Sequence, residues 1–257
     1  MNEKIDNILS EYYEIVVENL NSVKFTPMTK IWFEMADKII NQINIEDLYI
    51  PVIPNDIETL KFFRKRKLDD KSNNELSANE IPNNISENVY LNTLYYEKVC
   101  LNIKLLTFNS LYPTILIKLI DNNIIKMENN NYYTIFKYLY VNRTKFKTSN
   151  NYIVVKLFIN YFYGILAGDE RHYNKINCKN FHHFDYYKYL LYNTIKKQLN
   201  DDLIYFDTDV IYYKGDHQFN FGIPFEIEDV QEFLIFRKKK YIEKIDNVTR
   251  FHGFKFA

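Results

Sequence analysis

Cysteine is nearly absent. Cys100 and Cys178 stand far apart among 257 residues, which excludes a disulfide framework and fits a reducing compartment. Secretion is not expected, because MNEKIDNILSEYYEI places acids where a signal peptide needs a basic and then an apolar run. No apolar run is long enough for a membrane segment: residues 152–168 are interrupted by Lys156 and Asn160 and fall short of the roughly 20 residues that span a bilayer. Neither charge is in excess. Lys plus Arg and Asp plus Glu number 33 each, so nothing global draws the chain to a polyanion, and any nucleic-acid contact must come from local patches. Glycine and proline, at 5 and 6, are outnumbered by Asn, Ile, Lys and Tyr, the bias of an AT-rich coding genome. What remains is an intracellular, cytoplasmic globular protein whose 47% hydrophobic content is ample for a core, much of it from 23 Tyr and 20 Phe.

Ile5, Ile8, Leu9, Tyr12, Val16 and Leu20 recur at helical spacing, and a second helix opens at Thr26-Pro27 and buries Ile31, Trp32, Met35, Ile39 and Ile43. Together they form an N-terminal helical unit over residues 1–48. Residues 49–92 read as a connector: a basic run, Arg64-Lys65-Arg66-Lys67, is followed by a polar stretch at 69–88 that is punctuated by Pro82 and too short of aromatics to order itself. His172, Cys178, His182 and His183 invite a zinc reading, but their spacing fits no pattern of paired ligands, and surface or core roles account for them.

The rest of the chain is organised around residues 202–214, DLIYFDTDVIYYK. Two runs rich in Ile, Tyr, Phe and Val, which suit a pleated surface, flank the turn that carries Asp207 and Asp209. Two carboxylates so close repel one another, and divalent cations are the usual means of neutralising such a pair. An Asx-type turn explains a bare Asp-Thr-Asp equally well.

Tyr205-Phe206-Asp207-Thr208-Asp209 resembles the third signature of family B DNA polymerases, and two companions precede it in the family's order. Residues 107–115, TFNSLYPTI, resemble the first signature, and residues 156–164, KLFINYFYG, resemble the second. The short spacing of the first two and the Asn-Ser-Leu-Tyr-Pro wording are most similar to the protein-primed branch of phages, adenoviruses and linear plasmids. The resemblance implies an α+β fold: a palm with an antiparallel sheet, two-helix fingers at 132–168, an N-terminal helical segment, no exonuclease domain and little or no thumb, with residues 93–257 forming the palm and fingers. It implies that the amides of Ser110 and Leu111 meet an incoming dNTP, that the Tyr112 ring lies beneath its sugar, and that Lys156, Asn160, Tyr163 and Gly164 shape the pocket. Arg143 and Lys147 could add phosphate contacts. Residues 233–241, FLIFRKKKY, resemble the element that grips the primer end, with Lys239 and Tyr241 in the matching places and Arg237 and Lys240 beside them as DNA-binding residues.

The chain departs from the family in several places. Tyr161 stands where Ser is usual, and Tyr95-Tyr96-Glu97-Lys98 is the nearest counterpart of a Tyr-x-Gly-Gly element whose glycines are gone. Asp56-Ile57-Glu58-Thr59 spells the first exonuclease motif, but no exonuclease domain fits before residue 107, and a capped helix start explains it. The gravest departure is Thr107, in place of the first signature's catalytic Asp. Asp207 and Asp209 are then the metal ligands that remain, and the expectation is weak Mg²⁺ binding and a polymerase-like protein impaired in catalysis, acting in nucleotide or DNA binding or as a partner of replication proteins. A weak or partner-dependent DNA polymerase is the alternative.

Overall fold

The computed structural model describes residues 3–21, 28–51, 89–128, 130–167, 176 and 178–254. The tetrapeptide at 56–59, the basic run at 64–67, the polar stretch at 69–88 and His172 lie outside them. The fold is α+β, with six α-helices and a seven-stranded antiparallel sheet among the described residues. The chain divides into two units, Met1–Pro54 with Tyr112–Phe184 and Asn55–Leu111 with Asp185–Ala257.

The first unit is mainly helical. It contains α1 (Glu3–Asn21), α2 (Met28–Gln42), α3 (Leu111–Asp121) from its second residue, α4 (Asn130–Asn142) and α5 (Asn151–Ala167), with a two-stranded ribbon of β3 (Lys126–Met127) and β4 (Cys178–Lys179). The apolar stripes of α1 and α2 are buried as their spacing predicts: Ile5, Ile8, Leu9 and Val16 on one, Ile31, Trp32, Met35 and Ile39 on the other. Trp32 is the pivot. Its ring stacks on Phe158 at 4.5 Å and on Phe162 at 5.5 Å, and its Nε1–H donates to the Phe158 carbonyl oxygen at 2.9 Å. The start of α5 is tied to α1 by Asn151, whose Nδ2 donates to the carbonyl oxygen and Oδ1 of Asp6 at 3.1 and 2.8 Å. The first of the two helices expected within 132–168 begins at Asn130 and stops at Asn142. Residues Arg143–Phe146 tighten into a 3₁₀ turn, with Phe146 buried and its carbonyl oxygen accepting from Ser149 N–H at 2.8 Å.

The second unit holds the sheet, in the order β1 (Val89–Leu91), β5 (Leu203–Asp207), β6 (Val210–Tyr213), β2 (Val99–Phe108), β7 (Phe225–Arg237), β8 (Lys240–Ile245) and β9 (Val248–His252). Helix α6 (His182–Leu199), in this unit from Asp185, leads through a 3₁₀ turn at Asn200–Asp202 into β5 and lays Tyr192 on Phe206 of one face, ring centroids 4.3 Å apart. The other face carries the aromatic core, in which Tyr205, Tyr212, Phe233 and Tyr241 pack with Ile103, Leu105 and Val230. Asn102, with φ +53, breaks the alternation of β2, so Cys100 and Ile103 both point into this core although they differ in parity.

Candidate functional site

The hairpin expected at 202–214 is present, and β2 lies beside it. Thr107 pairs with Val210, Leu106 with Ile211 and Leu105 with Tyr212, while Asp207 pairs with Val210 across the turn. Strand alternation puts Thr107, Val210 and Asp207 in one row on the face that carries Tyr205 and Tyr212. At the end of the row the Phe108 N–H donates to the Asp209 carbonyl oxygen at 2.8 Å. Asp209 is exposed, Thr107 and Asp207 half-buried. The turn is strained: Thr208 has φ +58, a conformation a β-branched residue adopts at a cost of roughly 1–3 kcal/mol. Side-chain bonds hold it there. Thr208 Oγ1 donates to Asp207 Oδ1 at 3.1 Å, and the Thr208 carbonyl oxygen accepts from the Tyr192 hydroxyl at 3.4 Å.

Tyr205 links this acidic tip to the basic segment. Its hydroxyl donates to Asp207 Oδ2 at 3.2 Å and accepts from the Lys239 N–H at 2.8 Å. Residues 237–240 are the tight turn of the β7–β8 hairpin, with Arg237, Lys238 and Lys239 exposed and Lys239 at φ +61. Tyr241 is buried behind the turn, its ring 5.3 Å from Tyr205. Burial first, and then the charges of Glu243, Asp207 and Asp209, push the Tyr241 phenol up to about 12. The alternate burial of β7 and β8 makes residues 237–240 a hairpin end.

Ser110 and Leu111 follow β2 in this unit, Leu111 being the first residue of α3. Ser110 has φ +57, so it lacks the extended backbone of an ordinary helix N-cap, and Leu111 is buried.

In the helical unit, Lys156, Asn160 and Gly164 are exposed along one face of α5, with Tyr163 half-buried beside them. Gly164 has no packing reason to be glycine, since a Cβ there would meet nothing within 4 Å. A mid-helix glycine costs roughly 0.5–1 kcal/mol. Tyr112 and Tyr163 lie with ring centroids 4.9 Å apart, and Phe184 backs both. Tyr161 is half-buried, and Arg143 stacks over the Tyr140 ring at 4.3 Å.

Sequence reading missed Glu226. It pairs with Thr107 across β2 and β7, follows the parity of core residue Val230, and accepts from Asn109 Nδ2 at 3.1 Å. Cross-strand register alone could have found it. The donors do not make up a paired-cation site: among the described residues no three His, Cys, Asp or Glu side chains converge as metal ligands, and both Asp207 oxygens already accept hydroxyl bonds. Nor is any helix of the described residues long and apolar enough to cross a membrane.

No family profile matches the chain, and no curated protein matches it in sequence. Among solved structures it is similar to phi29 DNA polymerase complexed with primer-template DNA, at a TM-score of 0.41 and 13% identity over 77% of this chain and 56% of that one. The same polymerase complexed with single-stranded DNA gives 0.42 and 14%, over 76% and 55%. The family B DNA polymerase of the hyperthermophilic archaeon Pyrobaculum calidifontis gives 0.39 and 14%, over 61% and 27%. The chain thus spans just over half the length of the phi29 enzyme.

Proposed function

We propose that this chain is a degenerate, protein-primed type of family B polymerase core, a palm with two-helix fingers, which has lost efficient catalysis and serves a replication apparatus by binding DNA or nucleotide. The observation that carries the reading is the pairing of Thr107 with Val210, next to Asp209. Residues matching the first and third polymerase signatures are remote in sequence yet share one end of one sheet. In two-cation phosphoryl transfer the carboxylates hold both metals so that attacking and leaving oxygens are stabilised together. A threonine hydroxyl supplies no such charge, and a loss of several kcal/mol at the transition state is at least a few orders of magnitude in rate. Mg²⁺ would rest weakly on Asp207 and Asp209, where its chemistry would be charge neutralisation.

Each unit contributes its own binding face. In the sheet unit, Arg237, Lys239 and Lys240 form a cationic turn on a chain of zero net charge, suited to a phosphate backbone, with Tyr241 as its aromatic support. In the helical unit, Lys156 is a point charge for a triphosphate, and the open face at Gly164 with the Tyr112–Tyr163 pair suits a sugar and base. Ser110 and Leu111 would offer amides to the same class of ligand.

The second reading, a weak or partner-dependent DNA polymerase, is favoured by Glu226, an acid in register with Thr107. Primer extension separates the two. Template-directed incorporation abolished by Asp209→Ala would establish the enzyme, whereas its absence alongside DNA binding supports the binding module. The binding arm is a fluorescence-anisotropy salt series with primer-template DNA. Wild type should bind with an affinity that falls steeply with salt, by roughly 0.7 to 0.9 logarithmic units per phosphate contact, and Lys239→Ala with Lys240→Ala should reduce affinity and slope. Wild type that binds neither DNA nor dNTP at low salt would remove both readings.

A further inference from the structure

The basic turn is clamped by the end of the described chain. Lys239 sits at φ +61, which a lysine keeps only where its surroundings over-determine it. On one side its N–H is held by the Tyr205 hydroxyl. On the other, residues 252–254 fold across the turn. Gly253, at φ +71, passes so close that an added Cβ would lie inside the contact distance of the Lys239 carbonyl oxygen, 3.1 Å from its carbonyl carbon and 3.4 Å from Lys240 Cα. Phe254 follows, edge-on to Phe236 at 5.7 Å, with Lys240 Nζ over its ring at 4.5 Å. His252 stacks flat on Tyr241 at 4.3 Å and meets Glu243 Oε1 at 2.9 Å.

We propose that residues 252–254 form a clamp that sets the conformation of the basic turn for the phosphate backbone of single-stranded nucleic acid, with Gly253 as its positioning residue. The proposal rests on the reading of residues 237–240 as a phosphate-binding turn. Only glycine combines that φ with that approach, so a side chain at 253 must push Lys239 away from Tyr205. The turn would then lose its one geometry, and its cations would no longer present together.

The test compares Gly253→Ala and Phe254→Ala with Gly215→Ala. Gly215 has a similar φ, +77, but its added Cβ would meet only His217 and Asp202 side chains at ordinary contact distance. Two readouts are taken: hydrogen exchange at the Lys239 amide, and anisotropy of a labelled oligodeoxythymidylate across a salt series. In Gly253→Ala, exchange at Lys239 should rise by about tenfold or more. DNA affinity should drop several-fold and the salt slope by about one unit, while Gly215→Ala matches wild type in both. Phe254→Ala, which adds no backbone clash, should shift both readouts in the same direction and carries the test if Gly253→Ala fails to fold. Lys239 protection unchanged in the folded variants overturns the clamp. Loss of protection in a protein whose wild type binds no oligonucleotide leaves the clamp standing and removes the phosphate-binding reading instead.

Discussion

Phe108 donates its backbone N–H to the carbonyl oxygen of Asp209 at 2.8 Å, so the exposed acid of the turn is pinned to the last residue of β2. The position before Phe108 is therefore next to the tip by backbone geometry, whatever side chain it carries.

Thr107→Asp would add a carboxylate to the row that contains Asp207. Cation affinity of oxygen sites rises with ligand charge, so Mg²⁺ or Mn²⁺ should bind about tenfold or more tightly in the variant. Calorimetric titration of both proteins checks this, and equal affinities would mean that the acids no longer share a site.

Tyr205→Phe removes the hydroxyl that joins Lys239 to Asp207. The Lys239 N–H then loses its acceptor and the strained turn its anchor, at a cost of about 1–3 kcal/mol. Urea unfolding should reveal this as a lower midpoint with unchanged slope. An unaltered midpoint would mean that water replaces the hydroxyl at no cost.

How much of this was legible in the sequence depends on how far each feature reaches along the chain. The hairpin at 203–213 was legible because two β-rich runs flank one polar turn, and α1 and α2 because their apolar residues repeat at 3.6. Nothing local foretold that Trp32 would meet Phe158, since periodicity says which face of a helix is buried and not against what. Glu226 escaped for the same reason: register across β2 and β7 brings it to Thr107. The φ +61 of Lys239 and the approach of Gly253 belong to tertiary packing, which overrides the ordinary aversion of lysine to that region.

Phe162→Ala probes the helical unit. Phe162 is fully buried between Phe136, at 4.4 Å, and Trp32, at 5.5 Å, and removing such a ring typically costs about 3–5 kcal/mol. Trp32 is the sole tryptophan, so its fluorescence should report an unfolding midpoint shifted sharply down. A shift under about 1 kcal/mol would mean that the stack relaxes to fill the gap.

Alkali should destabilise the sheet unit over a defined window. Burial raises the phenols of Tyr187, Tyr213 and Tyr241 from 10.0 to about 12 each. Between these values the unfolded chain has lost protons that the folded chain keeps, so stability falls as pH rises from about 10 to about 12 and is fully present below that window. Denaturant midpoints measured across that range should decline, while midpoints from neutral pH to about 9 carry no contribution from these three groups. A flat profile through pH 12 would exclude their buried, protonated state.

Glu226→Gln decides whether β7 supplies the charge that Thr107 does not. Glu226 shares a strand pair with Thr107, and its Oε1 accepts from Asn109 Nδ2 at 3.1 Å. If this carboxylate supports residual cation binding, its removal should weaken Mn²⁺ affinity several-fold in the wild type. In Thr107→Asp, where a nearer acid has taken over the role, the loss should be much smaller. The four proteins form a double-mutant cycle, and residues that substitute for one another give a coupling term of about 0.5–3 kcal/mol. Strict additivity would mean that Glu226 belongs to the Asn109 contact alone, and the weak polymerase would lose the structural observation that favours it.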